Sequence, residues 1–402
     1  MSYKNVLTYS LPVVERSGSH STISTTIQAD GRSFDVWYRV SSGPVANGVE
    51  TFLAASLAPA MTLGCPIRTP APISAKLYQG LLRYQQIMHE WCPELHVVPI
   101  ETEVHSEVPV ETRSSGVASF FSAGVDACYT YLQNRAELTA GILIHGFDYH
   151  LEYAHVRQAV SRLAQQAMRS LGTPLIEVDT NIRTFGDHYS NFRLPYHGCI
   201  LGSVALLLAP QLRKVLISST TTYDQLYPLG THPEIDPLWS NDQISVVHHG
   251  CDAMRWQKVQ RIAESDTVLN ILRVCTSGSH HSAEQYNCGK CEKCIRTMID
   301  LRMAGALHRC TTFRHPLSLN RLARTDTRDI VRCYYEQSCA EARKRQDDPD
   351  LVQALDVTIS NRHLTGFAGV LQRMRKQMQR RVLRPVISPV ERAVHRLVGR
   401  SR

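Results

Sequence analysis

This sequence predicts an α/β fold: a parallel sheet with helices covering both faces. Three observations carry that expectation. Five short apolar runs, "VASFF" (117–121), "AGILIHG" (140–146), "PLIEVDT" (174–180), "KVLISST" (214–220) and "ISVVHHG" (244–250), alternate with helical stretches, and such alternation marks βα units. The 402 residues are too many for one ordinary core, so more than one domain is expected. Apolar content of 43% and charged content of 20% describe a globular chain rather than a disordered one.

Residues 1–112 are expected to form an N-terminal α+β domain. "STTIQADGRSFDVWYRV" (24–40) reads as two strands around an Asp30-Gly31 turn. "VETFLAASLAPAMTLG" (49–64) reads as a helix ended by Gly64. "SAKLYQGLLRYQQIMHEW" (74–91) has Ser74 as its cap and Leu77, Leu81, Tyr84, Met88 and Trp91 on one face. "LHVVPIETEV" (95–104) reads as one more strand.

Residues 113–310 hold the alternating segments. Here "ILGSVALLLAP" (200–210) is the longest apolar stretch; it is too short to cross a bilayer and reads as a buried helix. Residues 311–402 read as a helical extension without strands. No transmembrane span is expected, and the first twenty residues lack the apolar core of a secretory signal. A cytoplasmic protein is therefore expected.

The basic balance is local. Residues 371–402 hold ten Lys or Arg and one Glu, a net +9 against +8 for the whole chain, so the rest sums to −1. Pro385 and Pro389 divide this tail, and Leu371, Met374, Met378 and Val382 form an apolar stripe. Such a tail speaks of partners: an anionic membrane, a nucleic acid or an acidic protein.

Two motifs carry chemistry. The first, Ser122-Ala123-Gly124-Val125-Asp126, follows the apolar run 117–121 and precedes the helical "DACYTYLQNRAEL". Free N–H groups and the dipole at a helix start favour an anion there. Gly124 allows a tight turn, and the Ser122 hydroxyl can donate to a phosphate oxygen. Asp126 can cap the helix or bind the Mg²⁺ that accompanies a phosphate. An ordinary strand-to-helix turn gives the same pattern.

The second motif is Cys288-x2-Cys291-x2-Cys294, with Cys275 thirteen residues upstream. Cys291 and Cys294 lie three apart at a helix start and point to one side. Four thiolates suit a closed tetrahedral zinc site. An iron–sulfur cluster is the rival, but the fourth Cys followed by Pro is missing. Cys65, Cys92, Cys128, Cys199, Cys251, Cys310, Cys333 and Cys339 are scattered, as buried apolar residues are. His280 and His281 are spare candidate ligands.

Taken together, the motifs resemble the PP-loop ATP pyrophosphatase superfamily, whose pattern is Ser-Gly-Gly-x-Asp-Ser, and within it the 7-cyano-7-deazaguanine synthases. The resemblance covers roughly 113–305. "HGCILGSVALLLAPQLRKVLISSTTTYDQLYP" places Asp224, Tyr227 and Pro228 in order, "HHGCDAMRWQKVQRIAES" supplies Lys258, and "NCGKCEKCIRT" matches the metal segment. Ala123 replaces a glycine of the pattern and Ala127 its second hydroxyl residue.

The resemblance implies a Rossmann-like sheet of the adenine nucleotide alpha hydrolase type, with ATP, Mg²⁺ and Zn²⁺ as cofactors. It implies AMP-forming ligation, or nitrile formation, on a small carboxylate with ammonia or an amine as the nitrogen donor. Ser122 and the loop N–H groups would hold phosphate; Asp126, Lys258 and Arg255 would be catalytic. By spacing alone, Lys258 and Arg255 equally fit a solvated helix face. The alternatives are a non-catalytic nucleotide-binding or partner-binding module on the same fold, and a tRNA-modifying sulfur transferase.

Overall fold

In the computed structural model the chain forms two compact units, Met1–His315 and Pro316–Arg402. The structure describes residues 6–105, 114–275, 287–323, 325 and 330–360. His280, His281 and the basic tail at 371–402 lie outside the described residues.

The first unit opens with β1 (Leu7–Tyr9), β2 (Val13–Ser17), β3 (His20–Ala29) and β4 (Arg32–Val40). Asp30 and Gly31 join β3 to β4 with positive φ of 51° and 71°, the two-residue turn whose twist suits a hairpin. Helix α1 (Glu50–Leu63) ends at Gly64 in the left-handed conformation. After β5 (Ile67–Arg68) and β6 (Ile73–Ser74) comes α2 (Ala75–Trp91). Ser74 caps α2 by accepting the Leu77 N–H, and Leu77, Leu81, Tyr84 and Met88 face the core. The expected strand at 95–104 becomes two pieces, β7 (Ile100–Glu101) and β8 (Val104–His105). They cannot be one strand because β7 pairs with β5 in the main sheet, whereas β8 pairs with β6 in a separate ribbon.

The alternating segments follow the predicted order: β9 (Gly116–Phe120), α3 (Val125–Asn134), β10 (Ala140–His145), α4 (Ala154–Leu171), β11 (Leu175–Thr180), a short α5 (Arg183–Gly186), α6 (His197–Leu207), β12 (Leu212–Ser218) and β13 (Ser245–His249). Then come α7 (Arg255–Ile262), α8 (Asp266–Leu269) and α9 (Glu292–Met303). Strands β13-β12-β9-β10-β11 are adjacent in that order and all parallel. In chain order this is fifth, fourth, first, second, third. The connections reverse direction at β9, so the loop after β9 opens into the crevice where such sheets take ligands.

The sheet does not stop at β11. β4 pairs with it antiparallel, Asp179 opposite Arg39, and β3, β1, β5 and β7 continue outward, giving eleven strands with β2 paired to β3. The segment 1–112, expected to be a domain of its own, thus shares one sheet with 113–310. One hydrophobic core holds Ile23, Tyr38 and Phe52 from the first segment with Val178, Ile200 and Val215 from the second. Tyr38 Oη and Ser203 Oγ, 2.9 Å apart, tie the hairpin to α6. Helices α1 and α6 pack on one another and are buried on nearly every side, as helices apolar all round must be.

In the middle of β11, Glu177 accepts from buried His145 Nε2, at the carboxyl end of β10, at 2.7 Å and from Gln165 Nε2 at 2.6 Å. Burial pushes the Glu177 carboxyl up, but its hydrogen bonds with His145, Ser161 and Gln165 outweigh that and hold it near 2, below the ordinary 4.5. A depressed carboxylate stabilises the fold above its unfolded pKa and loses that contribution as pH falls through the folded value. Acid unfolding followed by circular dichroism should therefore show a steeper stability loss between pH 4.5 and 2 than in Glu177→Gln. Equal acid sensitivity in the two proteins would contradict this.

In the second unit, α10 (Leu319–Leu322), α11 (Ile330–Arg345) and α12 (Pro349–Ser360) are helical, with no strand among the described residues. Cys339 Sγ lies 3.4 Å from Asp356 Oδ1 between α11 and α12, and Thr358 Oγ1 donates to the Leu322 carbonyl at 3.0 Å.

Candidate functional site

Residues 121–124 turn the chain from β9 into α3. Gly124 is the residue before the helix, with an ordinary φ of −75°, and no side chain caps α3. The left-handed residue is Ala123, at φ 58°. The turn therefore places its unusual backbone one position earlier than the glycine suggests. A non-glycine residue there costs about 1–2 kcal/mol. It is held by Arg273, whose amide donates to the Ala123 carbonyl at 2.8 Å. Ala123→Gly should raise stability by no more than about 1 kcal/mol, read as a small upward shift in melting temperature. A clear loss of stability would show that the methyl group packs better than the backbone is strained.

Ser122 is exposed at the mouth of the turn, and its Oγ accepts the Gly124 N–H at 3.3 Å. The Val125 side chain is buried, so only its backbone is available to a ligand. Asp126 does not cap α3. Its carboxylate points across the turn toward α7, with Oδ2 3.7 Å from Arg255 Nη1 and Oδ1 3.6 Å from Lys258 Nζ. Asp126 Oδ1 is buried yet makes no hydrogen bond.

Arg255 and Lys258 do not lie on a solvated face. Lys258 is 0% exposed and Arg255 7%. Lys258 Nζ donates to the Ser219 carbonyl at the end of β12, 2.7 Å away, and lies 5.7 Å from the centre of the Tyr129 ring. Arg255 Nη2 donates to Thr297 Oγ1 on α9 at 3.0 Å. A buried lysine needs a counter-charge, and Asp126 is near enough to provide one.

More cations gather here than the sequence reading named. Lys293 loses proton affinity to burial, partly restored by Asp148 and Asp126 and opposed by Arg255 and Arg296. Burial also lowers Arg273, with Asp148 and Tyr149 acting against it. No local pattern announces these residues, because they converge from separate elements. Asp224, by contrast, is exposed in the loop after β12. A hollow of about 380 Å³ lined by Ser114, Ser115, Arg213, Asp242, Gln243, Ile244 and Ser245 lies at the opposite, amino end of the strands, away from these groups.

The four cysteines named from the sequence meet. Their sulfurs all lie within 4.8 Å of one another. Cys288 and Cys294 are 3.8 Å apart, as are Cys275 and Cys291. A zinc ion bound tetrahedrally at about 2.3 Å would set its sulfurs about 3.8 Å apart, so the four could hold zinc; a cluster of several irons would spread them farther. The Lys290 and Cys291 amides point at Cys288 Sγ, at 3.4 and 3.2 Å. Cys291 immediately precedes α9. Hydrogen bonding from the Cys294 thiol is the main cause that holds Cys291 down at about 5.

One buried residue behind this cluster was missed from the sequence. Asn287 Oδ1 accepts the Val274 and Cys275 amides at 2.8 and 3.2 Å, and its Nδ2 donates to the Leu272 carbonyl and Thr312 Oγ1 at 2.9 and 3.0 Å. Its position just before Cys288 was the only available signal.

The fold and site thus define an α/β protein with a buried Asp126–Arg255–Lys258 cluster at the sheet's reversal point and a four-cysteine cluster that could bind metal. No family model, no curated protein and no solved structure matches the chain.

Proposed function

We propose that this protein is an ATP-dependent, AMP-forming ligase of the PP-loop class, with a Rossmann-like sheet of the adenine nucleotide alpha hydrolase type. It acts on a small carboxylate, with ammonia or an amine as the nitrogen donor. The observation that carries this reading is the buried Asp126–Lys258–Arg255 constellation at the turn after β9. The α3 amides and the Ser122 hydroxyl receive the phosphates. Asp126, with an oxygen that no hydrogen bond occupies, holds the Mg²⁺ that accompanies ATP.

A carboxylate oxygen of the acceptor attacks the α-phosphorus. The bond from that phosphorus to the bridging oxygen breaks, and pyrophosphate leaves. Lys258 and Arg255 neutralise the charge growing on it, in a site where water does not screen them. The nitrogen donor then attacks the acyl carbon, AMP leaves, and the nitrogen gives up a proton. A second activation of the resulting amide would yield a nitrile. Four thiolates would complete a tetrahedron around zinc, so a zinc held by Cys275, Cys288, Cys291 and Cys294 would supply structure and leave no open position for chemistry.

The sulfur-transfer reading finds no support in Cys128. That thiol is fully buried in α3 and burial raises its pKa. The non-catalytic reading keeps one observation: Ala127 offers no hydroxyl beside the turn. Incubation with Mg·ATP, ammonium and a panel of small carboxylates, followed by mass spectrometry, decides between these. AMP and pyrophosphate in equal amounts support ligation. ADP, or binding of ATP without turnover, rejects it. In the same reading the tail at 371–402 docks the enzyme on an anionic partner and takes no part in the chemistry.

A further inference from the structure

We propose that the four-cysteine centre sets the shape of the turn at 121–124, and that Asn287 is the positioning residue that transmits it. The nucleotide reading enters only through the ligand arm of the test.

Residues 272–275 belong to no strand, so their buried backbone groups need other partners. Asn287 provides three, to the Leu272 carbonyl and to the Val274 and Cys275 amides. The intervening Arg273 amide goes to Ala123. One side chain therefore fixes the segment whose middle amide holds the left-handed residue of the turn. That same side chain sits next to Cys288, and the segment ends in Cys275, so both ends of the clamp are cysteines of the cluster that could hold a metal.

A second arm starts from the other two cysteines. Cys291 precedes α9 and Cys294 lies in its first turn; one turn on, Thr297 accepts from Arg255, which faces Asp126. Closing the four sulfurs around one ion fixes 272–275 and the start of α9 relative to each other. These are the two elements that bracket the turn. Opening the sulfurs leaves Ala123 in a strained conformation with a less firmly held partner.

Hydrogen exchange measured by mass spectrometry on the full chain tests this without any nucleotide. Removing metal by chelation should speed exchange in the peptide covering 117–132, while β10 and β11 stay protected. Asn287→Ala, reloaded until a chromophoric chelator titrates a full complement of metal, should show the same faster exchange. Thr312→Val removes only one of the four Asn287 hydrogen bonds and should behave like wild type. Unchanged exchange at 117–132 after metal removal overturns the proposal. So does an equal rise in β10 and β11, which means general unfolding.

The ligand arm uses inorganic pyrophosphate and Mg·ATP. Metal-free protein should bind them on the order of tenfold more weakly, and by reciprocity each should tighten metal binding by the same factor. If exchange responds as expected but neither ligand binds, the coupling stands and the ATP reading falls. Ligands that bind the metal-free and the metal-loaded protein equally well overturn the coupling.

Discussion

Lys258→Met should abolish AMP formation while leaving the protein folded. Methionine fills the volume of the lysine stem without its charge, and the lost hydrogen bond to the Ser219 carbonyl costs about 1–3 kcal/mol. Asp126 remains 22% exposed and faces Arg255, so it is not left as an isolated buried charge. The lost ammonium is the group argued to meet the departing pyrophosphate. Removing one such group from a preorganised site lowers turnover on the order of 100-fold or more. Asp126→Asn should lower turnover as strongly but cost more stability, roughly 3–5 kcal/mol, because fully buried Lys258 then loses its counter-charge. Turnover by AMP release, melting temperature and metal content, measured on both variants, separate chemistry from folding. Wild-type AMP formation by Lys258→Met would make the pair purely structural.

Cys291→Ser should have the largest effect on stability. Purified wild-type protein is expected to carry about one zinc per chain, and the variant far less. Metal binding and folding are coupled at such sites. The expected loss is several kcal/mol, on the order of 10 °C in melting temperature for a unit of this size. Added zinc should restore the wild type after chelation but not the variant. Iron with acid-labile sulfide in the wild type would overturn the zinc assignment.

What was legible in the sequence was what is local in the chain. The Asp30-Gly31 turn, the Ser74 cap, the Gly64 terminator and the five strands of the parallel half depend on neighbours within a few residues. The cysteine cluster was legible for the same reason, since three of its ligands fall within seven residues. Arg255 and Lys258 were ambiguous because a polar helix face looks the same whether it meets water or a carboxylate; only burial decides. Arg273 and Ala123 are 150 positions apart, so the hydrogen bond that holds the turn left no trace in either segment. Gly124 was read as the residue that lets the chain turn tightly, yet the left-handed residue of the turn is the alanine before it. The separation of 1–112 failed because strand patterns report which faces are apolar, and not which strand lies alongside.

That last point bears on how the protein could be divided. The pairing of β4 with β11 occupies one side of β11 at Val178–Thr180. Beyond it, the strands shorten until the sheet finishes in β7, two residues long. A very short terminal strand offers little template for another chain, one of the ways β proteins avoid sticking to each other. A fragment starting at residue 113 would keep the turn and the cysteines but bare the Val178–Thr180 edge of β11, with buried residues such as Val178 no longer covered. The N-terminal hairpin is, in that sense, a built-in solubility guard for the half of the molecule that holds the site.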